Sequence, residues 1–501
     1  MTERHKYLAI DLGAESGRVI LGQLEEGHLK MEVVHRFPNG PVCVITGSDK
    51  VRMQWDILRL WSEVQAGIAQ AVHQYGPEIA SVGLDTWGVD FGLLDNRGEL
   101  LANPVHYRDS RTDGIFEQAF RRVPRAEVFM RTGIQFMQLN TLYQLLCMVI
   151  DDSPVLEKAE TILTTPDLFN YWFSGRKASE FTIATTTQCY NPIKKDWDRE
   201  LIGRIGIPTH MFPEIVPPGT NLGPLLPYVA EEVGLGHGAN LSVIAPACHD
   251  TGSAVAAVPA EKAGFAWISS GTWSVVGTEW PEPIINEQSL ANNFTNEGGV
   301  GGFRFCRNVM GLWLVQECRR TWTQQGQEFS YTELADMVEQ AAPFQAWIDP
   351  DDPEFFKPGD MPTRIIDFCQ RTGQTAPKSK AAILRCVLES LALKYRWVIE
   401  RLESMVGQRL EPIHIVGGGS QNRQLNQFTA DANDKPVVTG PVEATAIGNL
   451  LMQAISLGHI PTIAAGRSMV RHSFPPAVYN PKHSHGWEEA YQKMVGILEN
   501  A

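Results

Sequence analysis

A strand–turn–strand signature that occurs twice constrains this chain more than any other feature. In the first copy the apolar run Tyr7 to Ile10 ends in Asp11, Gly13 and Gly17 mark a turn, and a second apolar run follows from Val19 to Leu24. In the second copy Ala266-Trp267-Ile268 leads through Ser269-Ser270-Gly271-Thr272 to Trp273-Ser274 and Val275-Val276. Asp11, Gly13 and Ser16 are spaced D-x-G-x-x-S; Ser269, Gly271 and Ser274 are spaced S-x-G-x-x-S. Each reads as a β-hairpin. Glycine in such a turn lets the backbone take φ > 0 and lets a ligand reach the main-chain N–H groups. Successive N–H groups there form a concave anion site. An acid beside it can hold Mg²⁺, directly or through water, and the metal in turn holds phosphates.

The duplication continues along the chain. A helical pattern with Ile57, Leu60, Trp61, Val64, Ile68 and Val72 on one face precedes Ile79-Ala80-Ser81-Val82-Gly83. A longer one with Ile383, Val387, Leu391, Tyr395, Val398 and Leu402 precedes Ile413-His414-Ile415-Val416-Gly417. Both stripes are expected to pack a core. Asp56 and Ser379 are the expected N-caps, and Gly76 and Gly407 the stops. Ser269 lies 258 positions after Asp11 and Gly417 lies 334 after Gly83, so the second copy carries about 76 additional residues, expected within 300–378. A repeated hairpin and helix–strand unit implies two similar domains facing each other. Three antiparallel strands (Tyr7–Asp11, Arg18–Leu24, Leu29–Phe37), a helix, strand Ile79–Asp85, the turn Thr86-Trp87-Gly88 and strand Val89–Asp95 imply a mixed sheet flanked by helices, hence α/β.

Residues 38–49 are expected to be a loop, residues 104–150 helix and loop, and residues 191–240 an insertion before a domain boundary. The apolar strand Leu241–Ala247 and the segment Cys248-His249-Asp250-Thr251-Gly252-Ser253-Ala254 follow it. The second domain starts near 258. After Gly417-Gly418-Gly419 a helix is expected to about Ala432, then strand Pro436–Thr439 and helix Glu443–Leu457.

At 501 residues the chain has room for two or three domains. Its net charge of −14 disfavours nucleic acid and anionic membrane. An anionic nucleotide remains admissible, because local N–H groups and a metal set the field at a site. No apolar run approaches the ~18 residues that span a bilayer. The N-terminus runs straight into the first strand, which leaves no room for a signal peptide. Eight scattered cysteines without C-x-x-C fit buried or incidental thiols of a reducing compartment. Cytoplasm is the expectation.

Asp250 is the sharpest acidic candidate. It follows the carboxyl end of a buried strand, where open α/β sheets place ligands. There it can accept the proton of a substrate hydroxyl attacking phosphorus; equally, it can cap the helix that follows. Gly417 to Gly419, between a strand and a helix, lets a flat ligand lie on the backbone. The P-loop, H-E-x-x-H and G-x-S-x-G patterns are absent, and the glycines lack the Rossmann spacing. Ser269 and Ser270 have no base beside them. Arg108 and Arg111, in Tyr107-Arg108-Asp109-Ser110-Arg111, either bind a hydroxylated or anionic ligand or lie in a solvated loop. The H-x-H of His483-Ser484-His485 is read as a solvated tail.

Asp11-Leu12-Gly13-Ala14-Glu15-Ser16-Gly17-Arg18, Asp85-Thr86-Trp87-Gly88-Val89-Asp90-Phe91, Tyr107-Arg108-Asp109-Ser110-Arg111-Thr112, Ser269-Ser270-Gly271-Thr272-Trp273-Ser274, Asn308-Val309-Met310-Gly311-Leu312-Trp313 and Val416-Gly417-Gly418-Gly419-Ser420-Gln421-Asn422 give the chain a resemblance to the FGGY carbohydrate kinases, of the sugar-kinase, Hsp70 and actin superfamily. The D-T-W-G-V-D-F and N-x-M-G-L-W segments are the specific ones. The resemblance implies two ribonuclease-H-like domains with an interdomain cleft: 1–255, sugar-binding; 256–460, nucleotide-binding; and a tail, 461–501. It implies transfer of the γ-phosphoryl of ATP to the 1-hydroxyl of L-rhamnulose, with Asp250 as base. Gly88, His249, Asp250, Thr251 and Asn308 then match sugar-contacting positions. Ala14, Glu15, Ser16, Gly17, Arg18, Thr272, Gln316 and Gly418 match nucleotide-binding positions, and Asp11 the acid near Mg²⁺. Ala14 stands where many relatives have Thr, which removes one hydroxyl donor but leaves the backbone cradle. Partners are a small sugar and ATP, without nucleic acid or membrane; monomer and dimer both remain open. The alternatives are a kinase for xylulose, fuculose or glycerol, and a non-catalytic ATP-binding protein of the actin or Hsp70 type.

Overall fold

Strand His5–Leu12 is apolar on both faces, with Tyr7, Leu8, Ala9, Ile10 and Leu12 fully buried, as a central strand covered by helices on both sides must be. It belongs to a computed structural model that describes residues 4–46, 50–236, 240–483 and 485–499. Ser484 of the H-x-H segment, residues 47–49 of the expected loop and the first three residues lie outside the described ones. The chain forms two compact units: Met1–Ala257 with Trp280–Phe305 and Ala444–Ser473, and Val258–Glu279 with Cys306–Glu443 and Phe474–Ala501.

In the first unit six strands run in the order Thr220–Pro224, Ser242–Ala245, Ser81–Thr86, His5–Leu12, Ser16–Glu25, His28–Pro38. The central three are parallel and the outer pairs antiparallel. Helix Ile57–Tyr75 covers this sheet with Ile57, Leu60, Val64 and Ile68 buried; the Asp56 side chain accepts from Arg59 N. A second core gathers Phe129, Leu142, Tyr143, Leu146, Leu201 and Ile202.

The sheet that carries the strands of the second unit has seven, in the order Thr295–Gly298, Phe303–Met310, Trp273–Trp280, Ala266–Ser270, Ile413–Val416, Val437–Thr439, Ala477–Tyr479. Helix Lys380–Val406 lies in this unit, starting at the Ser379 cap and stopping at Gly407, whose φ is +70°. All six residues of its expected stripe are buried. The α/β class and both hairpins stand as expected.

Three local expectations change. Residues 41–46 are a strand, not loop; they pair antiparallel with Lys50–Trp55 from Pro41↔Trp55 to Thr46↔Lys50. Every residue of 41–46 is exposed, so no burial period betrayed the ribbon. Within 191–240, Thr220–Pro224 is the edge strand of the main sheet rather than inserted loop. Finally, Gly13, Gly17 and Gly271 do not adopt positive φ. Gly17 is glycine because a Cβ there would run into the ring of Phe37.

Candidate functional site

Three acids stand at the carboxyl ends of adjacent parallel strands of the first unit. Asp11 and Asp85 are register partners in the His5–Leu12 and Ser81–Thr86 ladder, so both side chains leave the same side of the sheet. Beside them Thr86 N donates to Cys248 O at 2.9 Å, and Thr86 bridges to His249. That bridge brings the start of helix Asp250–Ala256 to the same edge. Asp85 is wholly buried. Burial, then the negative charges of Asp11 and Asp250, hold its carboxyl well above the usual carboxylate range, while a bond from Asn449 opposes the rise. Asn449 Nδ2 donates to Asp85 Oδ2 at 2.6 Å, and Asp85 Oδ1 has no partner among the described residues. Arg18 pairs with Asp11.

Asp250 is the first residue of its helix. The cap position is His249, which makes no capping bond through its side chain. The capping role therefore gives way to a different one. Thr251 N and Thr251 Oγ1 donate to Asp250 Oδ1 at 2.5 and 3.1 Å, and His249 Nε2 is 3.4 Å from the same oxygen. No described residue donates to Oδ2, and the side chain is 33% exposed. One carboxylate oxygen is anchored by Thr251 and the other is not.

The layer beneath is rigid. Glu180, buried, accepts from Cys248 N at 3.0 Å and from Thr182 Oγ1 at 2.5 Å; burial pushes its carboxyl up to about 8. Thr182 Oγ1 in turn accepts from His249 N at 3.1 Å. Gly88 leads into Val89, a β-branched residue at φ +68°, a strained conformation. That strain is held by Thr141 Oγ1, which donates to Val89 O at 2.5 Å, and by Asp90 N, which donates to Gly88 O at 2.9 Å. A Cβ on Gly88 would meet Thr186 Oγ1 at 3.3 Å and His249 Nε2 at 3.4 Å. Asp90 accepts from the indole N–H groups of Trp55 and Trp87 at 2.6 and 3.0 Å, and burial pushes it up to about 6.

The turn Ala14, Glu15, Ser16, Gly17, Arg18 is closed by Gly13 N donating to Ser16 O at 3.0 Å. Asn39 fixes it from outside, Nδ2 to Gly13 O at 2.7 Å and N to Glu15 O at 3.0 Å.

The second unit holds Thr272, Asn308, Gln316 and Gly418. Leu312 N and Trp313 N donate to Gly271 O and Thr272 O at 3.0 and 3.2 Å, so the N-x-M-G-L-W segment braces the second hairpin. A Cβ on Gly311 would lie 2.6 Å from Trp273 C and 2.8 Å from Gly271 O. Gly417, at φ +83°, and Gly419 lie against Ser270, while nothing lies within 4 Å of a Cβ built on Gly418. Gln316 Oε1 is buried without a partner among the described residues. Asn308 lies on strand Phe303–Met310.

The structure thus brings Asp11, Ala14–Arg18, Gly88, His249, Asp250 and Thr251 into one unit, and the other four expected residues into the second. It adds Asp85, Asn449 and Asn39, together with Arg304, whose Nη2 lies 2.9 Å from His249 Nδ1, and Glu297, 3.1 Å from that Nη2. An acid ending a second parallel strand is a readable signal for Asp85. Nothing local marks Asn449, 364 positions away from its partner. Arg111 is turned inward, its Nη2 donating to Gln144 Oε1 at 2.5 Å. Asp109 beside it is buried on Arg52 and Met53 N, so this segment is no solvated loop. His483 is exposed and paired with Asp434 at 3.0 Å. Among the described residues no helix is long and apolar enough to cross a membrane.

Solved sugar kinases share this fold. A ligand-bound xylulose kinase from Lactobacillus acidophilus superposes with a TM-score of 0.81 at 16% identity, over 99% of this chain and 98% of that one. Plasmodium falciparum glycerol kinase with ADP gives 0.77 at 14% identity, over 99% and 97%. The architecture is the one these sugar kinases share. Residues 6–256 match the N-terminal domain, and 266–457 the C-terminal domain, of the FGGY family of carbohydrate kinases, and the chain belongs to that family. Among curated relatives, the rhamnulokinase of Bacteroides thetaiotaomicron is 43% identical over 489 residues, covering 97% of this chain and 98% of the relative. That of Bacillus subtilis is 38% identical over 477 residues, 95% of each.

Proposed function

We propose that this chain transfers the γ-phosphoryl group of ATP to the 1-hydroxyl of L-rhamnulose, giving L-rhamnulose 1-phosphate and ADP. The sugar assignment is carried by end-to-end similarity to rhamnulokinases, at 38% to 43% identity. In this reading Asp250 is the general base. Its Oδ2 takes the proton of the 1-hydroxyl as that oxygen bonds to the γ-phosphorus and the bond to the β–γ bridging oxygen breaks, leaving ADP. Thr251, through two bonds to Oδ1, holds the carboxylate in line. His249 and Gly88 border the sugar, and Asn308, on strand Phe303–Met310, is assigned to it on the resemblance alone.

ATP is assigned to Ala14, Glu15, Ser16, Gly17 and Arg18 at the first turn and to Thr272, Gln316 and Gly418. The partnerless Gln316 Oε1 and the open face of Gly418 fit such a ligand. The acids fit Mg²⁺: Asp85 Oδ1 is buried without a partner among the described residues, and burial first, then the negative charges of Asp11 and Asp250, raise its proton affinity. Among the described residues no three side chains form a closed metal cage. That suits an ion that keeps water and phosphate oxygens and takes only one or two carboxylates, here Asp11 and Asp85. Bound Mg²⁺ supplies neutralisation of the phosphate charge. The enzyme is placed in the cytoplasm, a reading supported by its free cysteines.

The test is ADP release with L-rhamnulose, L-fuculose, D-xylulose and glycerol. The highest kcat/KM is expected on L-rhamnulose. A higher value on another substrate replaces the sugar, and ATP binding without sugar-stimulated turnover replaces the kinase reading by the actin or Hsp70 type.

A further inference from the structure

Arg304 is fully buried, and its guanidinium reaches the ring of His249. Nη2 lies 2.9 Å from His249 Nδ1, Nε donates to Gly298 O at 2.7 Å, and Glu297 Oε2, 3.1 Å from Nη2, balances the buried charge. A guanidinium carries five N–H donors, no acceptor, and keeps its proton inside proteins. The ring nitrogen it meets must therefore accept. We propose that Arg304 is a positioning residue that fixes His249 as the neutral tautomer protonated on Nε2, making that nitrogen an obligatory hydrogen-bond donor to a sugar hydroxyl oxygen beside Gly88. This rests on the assignment of sugar and base given above.

The geometry around the ring supports one tautomer over the others. Glu297 Oε2 is 3.4 Å from Nδ1, farther than Arg304 Nη2, so the guanidinium rather than the carboxylate sets that nitrogen. On the other side Nε2 faces Asp250 Oδ1 at 3.4 Å. A proton on Nε2 meets that carboxylate favourably; a lone pair there would repel it. Nε2 is also 3.4 Å from the point where a Cβ on Gly88 would stand, so it borders the room that glycine leaves. Glu297, Arg304 and Asp250 are the charged groups that face the ring. The tautomer of a histidine is set by the bond its other nitrogen makes, and here that bond comes from a residue 55 positions away.

The test is a long-range ¹H–¹⁵N correlation spectrum of protein labelled at the histidine rings, with His249 assigned by the signals that His249→Asn removes. In the wild type Nδ1 is expected bare and Nε2 protonated. Arg304→Lys, whose ammonium is also donor-only, is expected to keep that pattern. Arg304→Met is expected to show mixed tautomers and a KM for the sugar raised on the order of tenfold, about one hydrogen bond, with KM for ATP unchanged. A damaged fold would instead move both KM values. A wild-type ring protonated on Nδ1, or on both nitrogens, overturns the proposal. Should Arg304→Met not fold, the wild-type and Arg304→Lys spectra decide. The spectrum is read on the sugar-free protein. A chain that phosphorylates none of the four substrates yet shows Nε2–H therefore refutes the kinase reading and not the tautomer.

Discussion

The two sheets repeat one plan and diverge in charge. Thr220–Pro224, Ser242–Ala245, Ser81–Thr86, His5–Leu12 and Ser16–Glu25 in the first sheet correspond in order and direction to Ala477–Tyr479, Val437–Thr439, Ile413–Val416, Ala266–Ser270 and Trp273–Trp280 in the second. At matching ends of the central strands, the first unit sets Asp11 opposite Asp85 and the second sets Ser269 opposite Val416. The backbone device is shared. The carboxylates are confined to one copy, and the other is closed by glycines and serines packed against each other. A repeated hairpin therefore fixes where a ligand can approach, while the residues at the strand ends decide what chemistry meets it.

The largest effect that can break this contrast is expected at Asp250. Asp250→Asn should lower kcat by about 10²–10⁴-fold, the usual worth of a general base, read by ADP release; near wild-type turnover would remove it from the mechanism.

Asp85 comes next. Asp85→Asn should raise the Mg²⁺ concentration for half-maximal activity roughly tenfold to a hundredfold, as loss of a residue supporting a metal does. It should also change the pH dependence of folding. An acid whose folded carboxyl titrates above its unfolded range stabilises the fold below the unfolded range, and that contribution is lost as pH rises through the folded value. Without Mg²⁺ the wild type should lose stability relative to Asp85→Asn as pH rises from acid to neutral, and Mg²⁺ should reverse the loss in the wild type alone. Parallel melting curves across pH would argue against the strained acid.

In the uncharged copy the effects are expected to be steric and smaller. Gly311→Ala forces a Cβ against backbone atoms of the second hairpin. It should cost about 1–3 kcal/mol of stability and raise KM for ATP while leaving KM for the sugar in place. Gln316→Leu should do two opposite things. Removing a buried oxygen without a partner should raise the stability of the ligand-free protein by about 1 kcal/mol. It should also weaken ADP binding by about fivefold, measured by calorimetry, for the loss of one hydrogen bond.

How legible this was depended on the range of the determinant. The hairpins could be read because apolar runs and turn glycines are local. The reason for Gly17 could not, since the ring of Phe37 that excludes a Cβ arrives from a neighbouring strand. The ribbon 41–46 has no strand signature in the sequence because all its residues are exposed, which erases the period of two that burial imposes. Asp250 is visible as an acid after an apolar strand, but only the structure, by putting the cap position at His249, separates a site role from capping. Asn449, Glu297 and Arg304 reach the site only through folding, and no spacing along the chain announces them.

The account turns on Asp250 serving the reaction rather than the binding of the sugar. The direct measurement is the calorimetric affinity of Asp250→Asn for L-rhamnulose beside its single-turnover rate of phosphoryl transfer with ATP and Mg²⁺. The affinity should stay within about threefold of the wild type, a difference under 1 kcal/mol, while transfer falls by decades. Sugar affinity lost in step with transfer, or transfer at the wild-type rate, would contradict it.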